Sequence, residues 1–140
     1  MNVISDAALR ARAGCEAAVL AFFHALDTRR HEDVAALMTP DGVWLRQGKT
    51  LKGRAEILEA LQARPAGRGT CHVVANARLA ALDGGRAELA YFLLAYESLA
   101  DQDGGAPRLA AIRDCVDRLA LTDEGWRIAD KRSRRHLPPQ

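Results

Sequence analysis

Three observations in the sequence predict an α+β fold. The first half carries apolar residues at helical spacing, and the hydrophobic period changes near residue 70. Beyond that point, four long segments are joined by three short connections, each bearing glycine. These segments, Thr70–Leu82, Arg86–Leu99, Leu109–Leu121 and Trp126–Leu137, are separated by Asp83-Gly84-Gly85, Ala100–Pro107 and Thr122–Gly125. Connections of this kind join neighbouring antiparallel strands, so the second half reads as a meander. Three helices packed on one face of a long, mostly antiparallel sheet follow as the expected architecture. All 140 residues are expected to form one domain, long enough to bury a sizeable core.

Taken in order, Asp6 is the expected N-cap of a helix running to about Thr28, because its carboxylate can accept from the unpaired amides of the first turn. Cys15, Val19, Phe22 and Leu26 recur at steps of four, three and four, which gathers them into one core-facing stripe. Phe23 and Asp27 lie on one flank of that stripe, where they can face a cavity edge, whereas His24 lies nearly opposite it. After the polar break Thr28–His31, Glu32–Met38 reads as a two-turn helix. Thr39-Pro40-Asp41-Gly42 reads as a turn, because proline cannot continue a helix and glycine accepts positive φ. Val43–Arg46 is a short strand, Gln47–Leu51 a hairpin turn and its return, and Gly53 opens a third helix that buries Ile57, Leu58 and Leu61 and ends before Pro65.

In the meander, Ala90-Tyr91-Phe92-Leu93-Leu94-Ala95-Tyr96 is apolar on both faces. A sheet covered on one side alone does not require this, so the expectation is a homodimer packed sheet to sheet. The charge balance, 20 basic against 18 acidic residues, provides no field that would draw a nucleic acid or a membrane. The basic tail Lys131, Arg132, Arg134, Arg135 and His136 reads as a solvated strand end. Cys15, Cys71 and Cys115 are odd in number and widely spaced among apolar neighbours, which points to free thiols and a cytoplasmic setting. No apolar run has the length of a signal peptide or a membrane span. His24 and His31 lack ligand-spaced partners, and neither a phosphate-binding glycine loop nor a nucleophile elbow occurs, so no metal and no cofactor is expected.

Several short pieces recur in a telling order: Phe23-His24-Ala25-Leu26-Asp27, Glu32–Leu37, Pro40-Asp41-Gly42-Val43-Trp44, Gly53–Ile57, His72–Asn76, Asp117-Arg118-Leu119 and Gly125–Ile128. Together they resemble the SnoaL-like branch of the nuclear-transport-factor-2-like superfamily, which includes relatives of scytalone dehydratase and bile-acid dehydratase. The resemblance spans nearly the whole chain. It implies a curved sheet and helices that close a cone around an apolar pocket, in a dimer. The dehydratase relatives place an aspartate at the end of the first helix and a histidine early on the strand after the third. Asp27 and His72 stand at those positions, and a histidine oriented by a carboxylate can move protons near neutral pH. Read structurally, Asp27 could instead only stop the helix and His72 could be a satisfied core histidine.

The resemblance fails elsewhere. Arg46 stands where scytalone-type sites carry a tyrosine, Phe22 where some relatives carry a phenol, and Cys115 where an aromatic is usual. Ketosteroid isomerase chemistry lacks both its carboxylate and its phenol. By alternation, His72, Val74 and Asn76 share one face of their strand, and Cys115, Asp117 and Leu119 share one face of theirs. Candidate ligand contacts are therefore Phe23, Trp44, Arg46, Asn76, Tyr91, Tyr96, Cys115 and Asp117, with only one of the two tyrosines facing in. Arg113 with Asp117 reads equally as a pair on a solvated face. The leading expectation is a pocket for a small hydrophobic ligand. In it, a cofactor-independent lyase or isomerase would act on a cyclic hydroxyl or carbonyl compound through Asp27 and His72. The alternative is a non-catalytic accessory subunit similar to the β subunits of ring-hydroxylating dioxygenases.

Overall fold

The computed structural model describes residues 4–139. Its elements are α1 (Asp6–Asp27), α2 (His31–Ala36), β1 (Met38–Arg46), β2 (Lys49–Lys52), α3 (Gly53–Gln62), β3 (Arg68–Asp83), β4 (Arg86–Leu99), β5 (Arg108–Thr122) and β6 (Gly125–Leu137), with a 3₁₀ turn at Asp103–Gly105. One six-stranded sheet runs β2-β1-β6-β5-β4-β3. Strands β1 and β6 are parallel, and every other neighbouring pair is antiparallel. The α+β arrangement expected from the sequence is the one observed, with the long meander running from β3 to β6.

Helix α1 begins one residue earlier than expected. Ser5, in extended backbone, accepts from the Ala8 N–H at 3.1 Å and is the N-cap, while Asp6 lies in the first turn, where its charge complements the helix dipole. The stripe is as expected, with Cys15, Val19 and Phe22 fully buried and Leu26 nearly so. The helix ends in a paired-carbonyl motif. Arg29 takes a left-handed conformation at φ 58, its N–H donates to the Leu26 carbonyl, and the Arg30 N–H donates to the Ala25 carbonyl at 2.8 Å. This stop leaves Asp27 as the last helical residue.

Two readings near α2 need correction. The helix ends at Ala36 rather than Met38, because the Leu37 carbonyl accepts from the Ile128 N–H at 2.9 Å and the chain passes into the sheet. Thr39-Pro40-Asp41-Gly42 lies within β1 and is not a turn between elements. It forms a long bulge: from Met38 to Val43 the strand advances five residues while its partner advances two, from Ile128 to Asp130. Gly42 fits closely there, since a Cβ would sit 3.0 Å from the Met38 methyl and 3.1 Å from two carbonyl oxygens.

The meander strands also carry bulges, and these set which side chains face inward. On β3 one follows Ala75 and another follows Leu79, and on β6 the extra residue is Ala129. Each flips the alternation that follows it. The inner face, with α1, α2 and α3 packed over it, holds Leu89, Tyr91, Leu119 and Ile128 against Phe22, Ile57 and Leu61, all fully buried or nearly so. Leu58 of α3 is only half-buried. The outer face bears exposed Val73 and Val116 among ion pairs such as Glu88–Arg118 and Asp114–Arg134.

Gly14 of α1 lies against the Trp126 indole, where a Cβ would come within 2.4 Å of Cδ1. A Gly14→Val variant should lose about 1–3 kcal/mol of stability in urea denaturation through overpacking. An unchanged unfolding midpoint would mean that the helix does not press on this ring.

Candidate functional site

The side chain of Asp27 is the meeting point of α1 and β3. Its Oδ1 is 2.6 Å from His72 Nδ1 and accepts from Thr70 Oγ1 at 2.9 Å, while Oδ2 accepts from the His72 backbone N–H at 2.7 Å. A carboxylate can only accept, so the proton of a neutral His72 ring resides on Nδ1 and Nε2 presents its lone pair. Burial would raise the Asp27 pKa, but the hydrogen bonds from the His72 ring and backbone, the charge of His72 and the Thr70 hydroxyl together hold it below its ordinary value. Both side chains are about one-seventh exposed, so the pair is sheltered yet reachable.

His72 opens onto a cavity of about 260 Å³ whose apolar wall includes Phe23, Leu26, Trp44 and Leu93. Phe23 is the central partition. Its ring centroid is 5.2 Å from that of His72 on one side, and the Lys131 ammonium sits 4.5 Å from the ring centre. Phe22, buried behind it, contacts Trp44 edge-on at 5.2 Å. Arg46 lies over the Trp44 ring at 5.4 Å, at the cavity rim.

A second polar cluster reaches the cavity through Tyr91 and Lys131. Lys131 Nζ donates to Asp117 Oδ2 at 2.6 Å and to the Tyr91 hydroxyl at 2.9 Å, and the Tyr91 hydroxyl donates to the same Asp117 oxygen at 3.0 Å. Asp117 is fully sealed, and burial raises its pKa against the pull of Lys131. Tyr91 is pushed well above its ordinary value by burial and then by the Asp117 charge, so it acts as a neutral phenol. Cys115 lines the cavity, but burial pushes its thiol up to about 12, which rules out a thiolate nucleophile at neutral pH.

The structure therefore gathers Asp27, His72, Phe23, Trp44, Arg46, Tyr91 and Cys115 around or directly behind one cavity. It separates three expected residues from that space. Asn76 sits at φ 53 in the first β3 bulge and faces a different depression beside Glu16 and Leu20. Tyr96 pairs with Cys71 on the outer face, so Tyr91 is the phenol that points in. Asp117 supports the wall from behind, paired with Lys131 rather than with Arg113 on a solvated face. His24 is exposed and bonded to Arg30, as its helical position predicts.

The sequence reading missed Lys131 and Arg64. Lys131, expected in a solvated tail, is 4% exposed because the Ala129 bulge turns it inward. A carboxylate on an inward strand face was the available signal, since Asp117 needs a cation and Lys131 is its register partner. Arg64, also buried, donates to the Leu26 carbonyl and to Thr70 Oγ1, and so braces the hydroxyl that Asp27 accepts. Burial and the charges of Arg68, Arg29 and Arg46 lower its pKa to about 10. Among the described residues, no group of three or more His, Cys, Asp or Glu side chains is placed to hold a metal ion.

Two stability tests follow. Asp27 is ionised at lower pH in the fold than in the unfolded chain, so its contribution is present above the unfolded value of about 3.9 and is lost as pH falls through the folded value. Below about pH 4, wild-type stability should therefore fall more steeply than that of Asp27→Asn; matching acid limbs in urea titrations would rule out the tie. Replacing Lys131 by Met strands a buried carboxylate and should cost about 3–5 kcal/mol, much of it regained in Lys131→Met/Asp117→Leu. The same denaturation assay reads both variants.

Comparison with known proteins places this geometry in a family. A SnoaL-like domain matches residues 7–132. No curated protein matches the chain. Among solved structures, a scytalone dehydratase-like protein from Novosphingobium aromaticivorans DSM 12444 superposes with a TM-score of 0.84 at 18% identity, over 96% of this chain and 89% of its own. An NTF2-like protein with a cystatin-like fold from the same species gives 0.81 at 18%, over 94% and 85%. A protein assigned as the β subunit of an aromatic-ring-hydroxylating dioxygenase, also from that organism, gives 0.80 at 16%, over 96% and 94%. These identities establish the shared fold alone, but the match over residues 7–132 goes further: the chain belongs to the SnoaL-like domain family.

Proposed function

We propose that this protein binds a small hydrophobic compound in the Phe23–Trp44 cavity and catalyses a cofactor-independent proton transfer or dehydration on it. The observation that supports this most is the Asp27–His72 pair at 2.6 Å through Nδ1, with His72 lining the cavity. For a cyclic β-hydroxy carbonyl compound the steps balance without a cofactor. Nε2 removes the proton beside the carbonyl, and Asp27 holds the resulting imidazolium in place. The charge that develops on the carbonyl oxygen is met by the Lys131 ammonium, with the Tyr91 phenol beside it. The imidazolium then returns its proton to the departing hydroxyl, which leaves as water, and the double bond forms. If the compound instead carries a β,γ double bond and no β-hydroxyl, the imidazolium returns its proton to the γ carbon of the dienolate and the double bond moves into conjugation, an isomerisation.

The accessory-subunit reading has only the shared fold of the dioxygenase β-subunit-like neighbour in its favour. A histidine–carboxylate pair beside a cavity is not needed for an assembly surface. We place the protein in the reducing cytoplasm, consistent with three free cysteines, one of them exposed. We also assign the outer sheet face, where Val73, Leu94, Phe92 and Val116 lie between ion pairs, to a homodimer contact.

A library of cyclic hydroxy and carbonyl compounds, screened by thermal shift, should yield ligands that raise Tm by mass action. For a turned-over member, His72→Gln should lower kcat by about 10²–10⁴ while ligand binding persists. Undiminished turnover in that variant would remove His72 from the mechanism. Light scattering should give twice the chain mass for wild type and the single mass for Val116→Asp; a monomeric wild type would overturn the dimer.

A further inference from the structure

Six side chains lining the cavity are cationic, Arg46, Arg64, Arg68, Arg113, Lys131 and Arg132, and no lining residue is acidic. Most of these charges are already answered. Arg68 pairs with Glu97 at 3.2 Å, Lys131 with Asp117 at 2.6 Å and Arg132 with Asp130 at 2.8 Å, and Arg64 is held by Leu26 O and Thr70 beside Asp27. Two are not. Among the described residues, Arg46 has only the Trp44 ring beneath it, and Arg113 donates only to Ser133, from Nε to Oγ at 2.7 Å and from Nη2 to the carbonyl at 3.4 Å. Burial and then the charge of Arg68 lower the pKa of Arg46, so its cation is held without local compensation.

The register brings these two together. Trp44 pairs with Lys131 on parallel strands, and Arg46 and Ser133 each lie two residues beyond that pair on the same inward face and line the same cavity. Ser133 also pairs with Cys115, and Arg113 is the next inward position on β5. Ser133 lies two residues, about 7 Å, along β6 from Lys131, and the Arg113 guanidinium reaches back to it from β5 while Arg46 approaches from β1. Guanidinium groups with free N–H edges match a carboxylate in both shape and charge.

We propose that the ligand of this cavity is a ring-sized apolar compound bearing a carboxylate, held between Arg46 and Arg113 with its ring against Trp44 and Phe23. The assignment rests on the cavity being the ligand site, and it is independent of the proton chemistry at His72. It sets the orientation of the substrate: the carboxylate lies at the rim, and the reacting carbons lie inward, between His72 and Lys131.

The test uses matched probes that differ only in charge: benzoate and benzamide, cyclohexanecarboxylate and its amide, 1-naphthoate and 1-naphthamide. In calorimetric titrations, at least one carboxylate should bind wild type tenfold or more tightly than its amide. That preference should shrink to within threefold in Arg46→Gln/Arg113→Gln, with the amide's own affinity changed less than threefold. His72→Gln should keep the preference. Equal binding of acid and amide in wild type, or a preference that survives the double variant, overturns the carboxylate assignment while leaving a ligand cavity in place. If no pair binds, both the assignment and the ligand-site reading fail. Acetate and inorganic phosphate alone should not reproduce the effect; if either binds as tightly as the best carboxylate, the site recognises simple anions and the ring-bearing class is wrong.

Discussion

The carboxylate of Asp27 ties the helical layer to the sheet, and the site depends on that tie. Helix α1 contributes most of its burial through side chains that could slide along the sheet at small cost, because apolar contact is non-directional. Hydrogen bonds from the His72 amide, the His72 ring and the Thr70 hydroxyl fix both translation and rotation. The helix stop at Arg29 then has a clear purpose. One more turn of helix would carry the chain past β3, whereas the left-handed residue turns it away directly after the carboxylate. The Nδ1 contact also selects the imidazole tautomer, so the geometry that holds α1 down leaves Nε2 with its lone pair on a residue that lines the cavity.

The Lys131–Asp117–Tyr91 cluster is a different kind of investment. A buried ion pair gains little net stability over a well-packed apolar core. One Asp117 oxygen accepts from both Lys131 and Tyr91, while the other, Oδ1, is buried without a hydrogen-bond partner. An arrangement this costly has no role in holding the fold that apolar residues could not fill. It is understandable as a fixed positive charge kept beside an apolar cavity, steadied by the phenol and by the Phe22 and Phe23 rings at 4.5 Å.

Much of this was legible in the residues, and the failures share a cause. The α1 stripe and the four long strands follow from hydrophobic period, whereas the pairing of Asp27 with His72 came from the resemblance to the SnoaL-like branch. Asn76 was misplaced because strict alternation was carried through a strand that contains a bulge, and Lys131 because it was read with the basic run that follows it, whereas the Ala129 bulge turns it inward. One extra residue inverts the facing of everything beyond it, and nothing about Ala75-Asn76-Ala77 or Ile128-Ala129-Asp130 announces the insertion. The Thr39–Gly42 error is of the same kind, since a bulge and a turn use the same residues. Tyr91 against Tyr96 could be narrowed to one but not chosen, because the choice needs the register against β5.

The bulges on β3 have an effect beyond the pocket. This strand is sixteen residues long and lies at the edge of the sheet, a length that would ordinarily offer an open row of donors and acceptors to any extended chain. Asn76, with its positive φ, interrupts that row near its middle, and the bulge after Leu79 interrupts it again. Arg12 reaches over from α1 to the Ala77 carbonyl, and Arg29 covers the Arg68 carbonyl at the start of the strand. The irregularities that curve the sheet around the cavity thus also leave its longest free edge a poor template for aggregation.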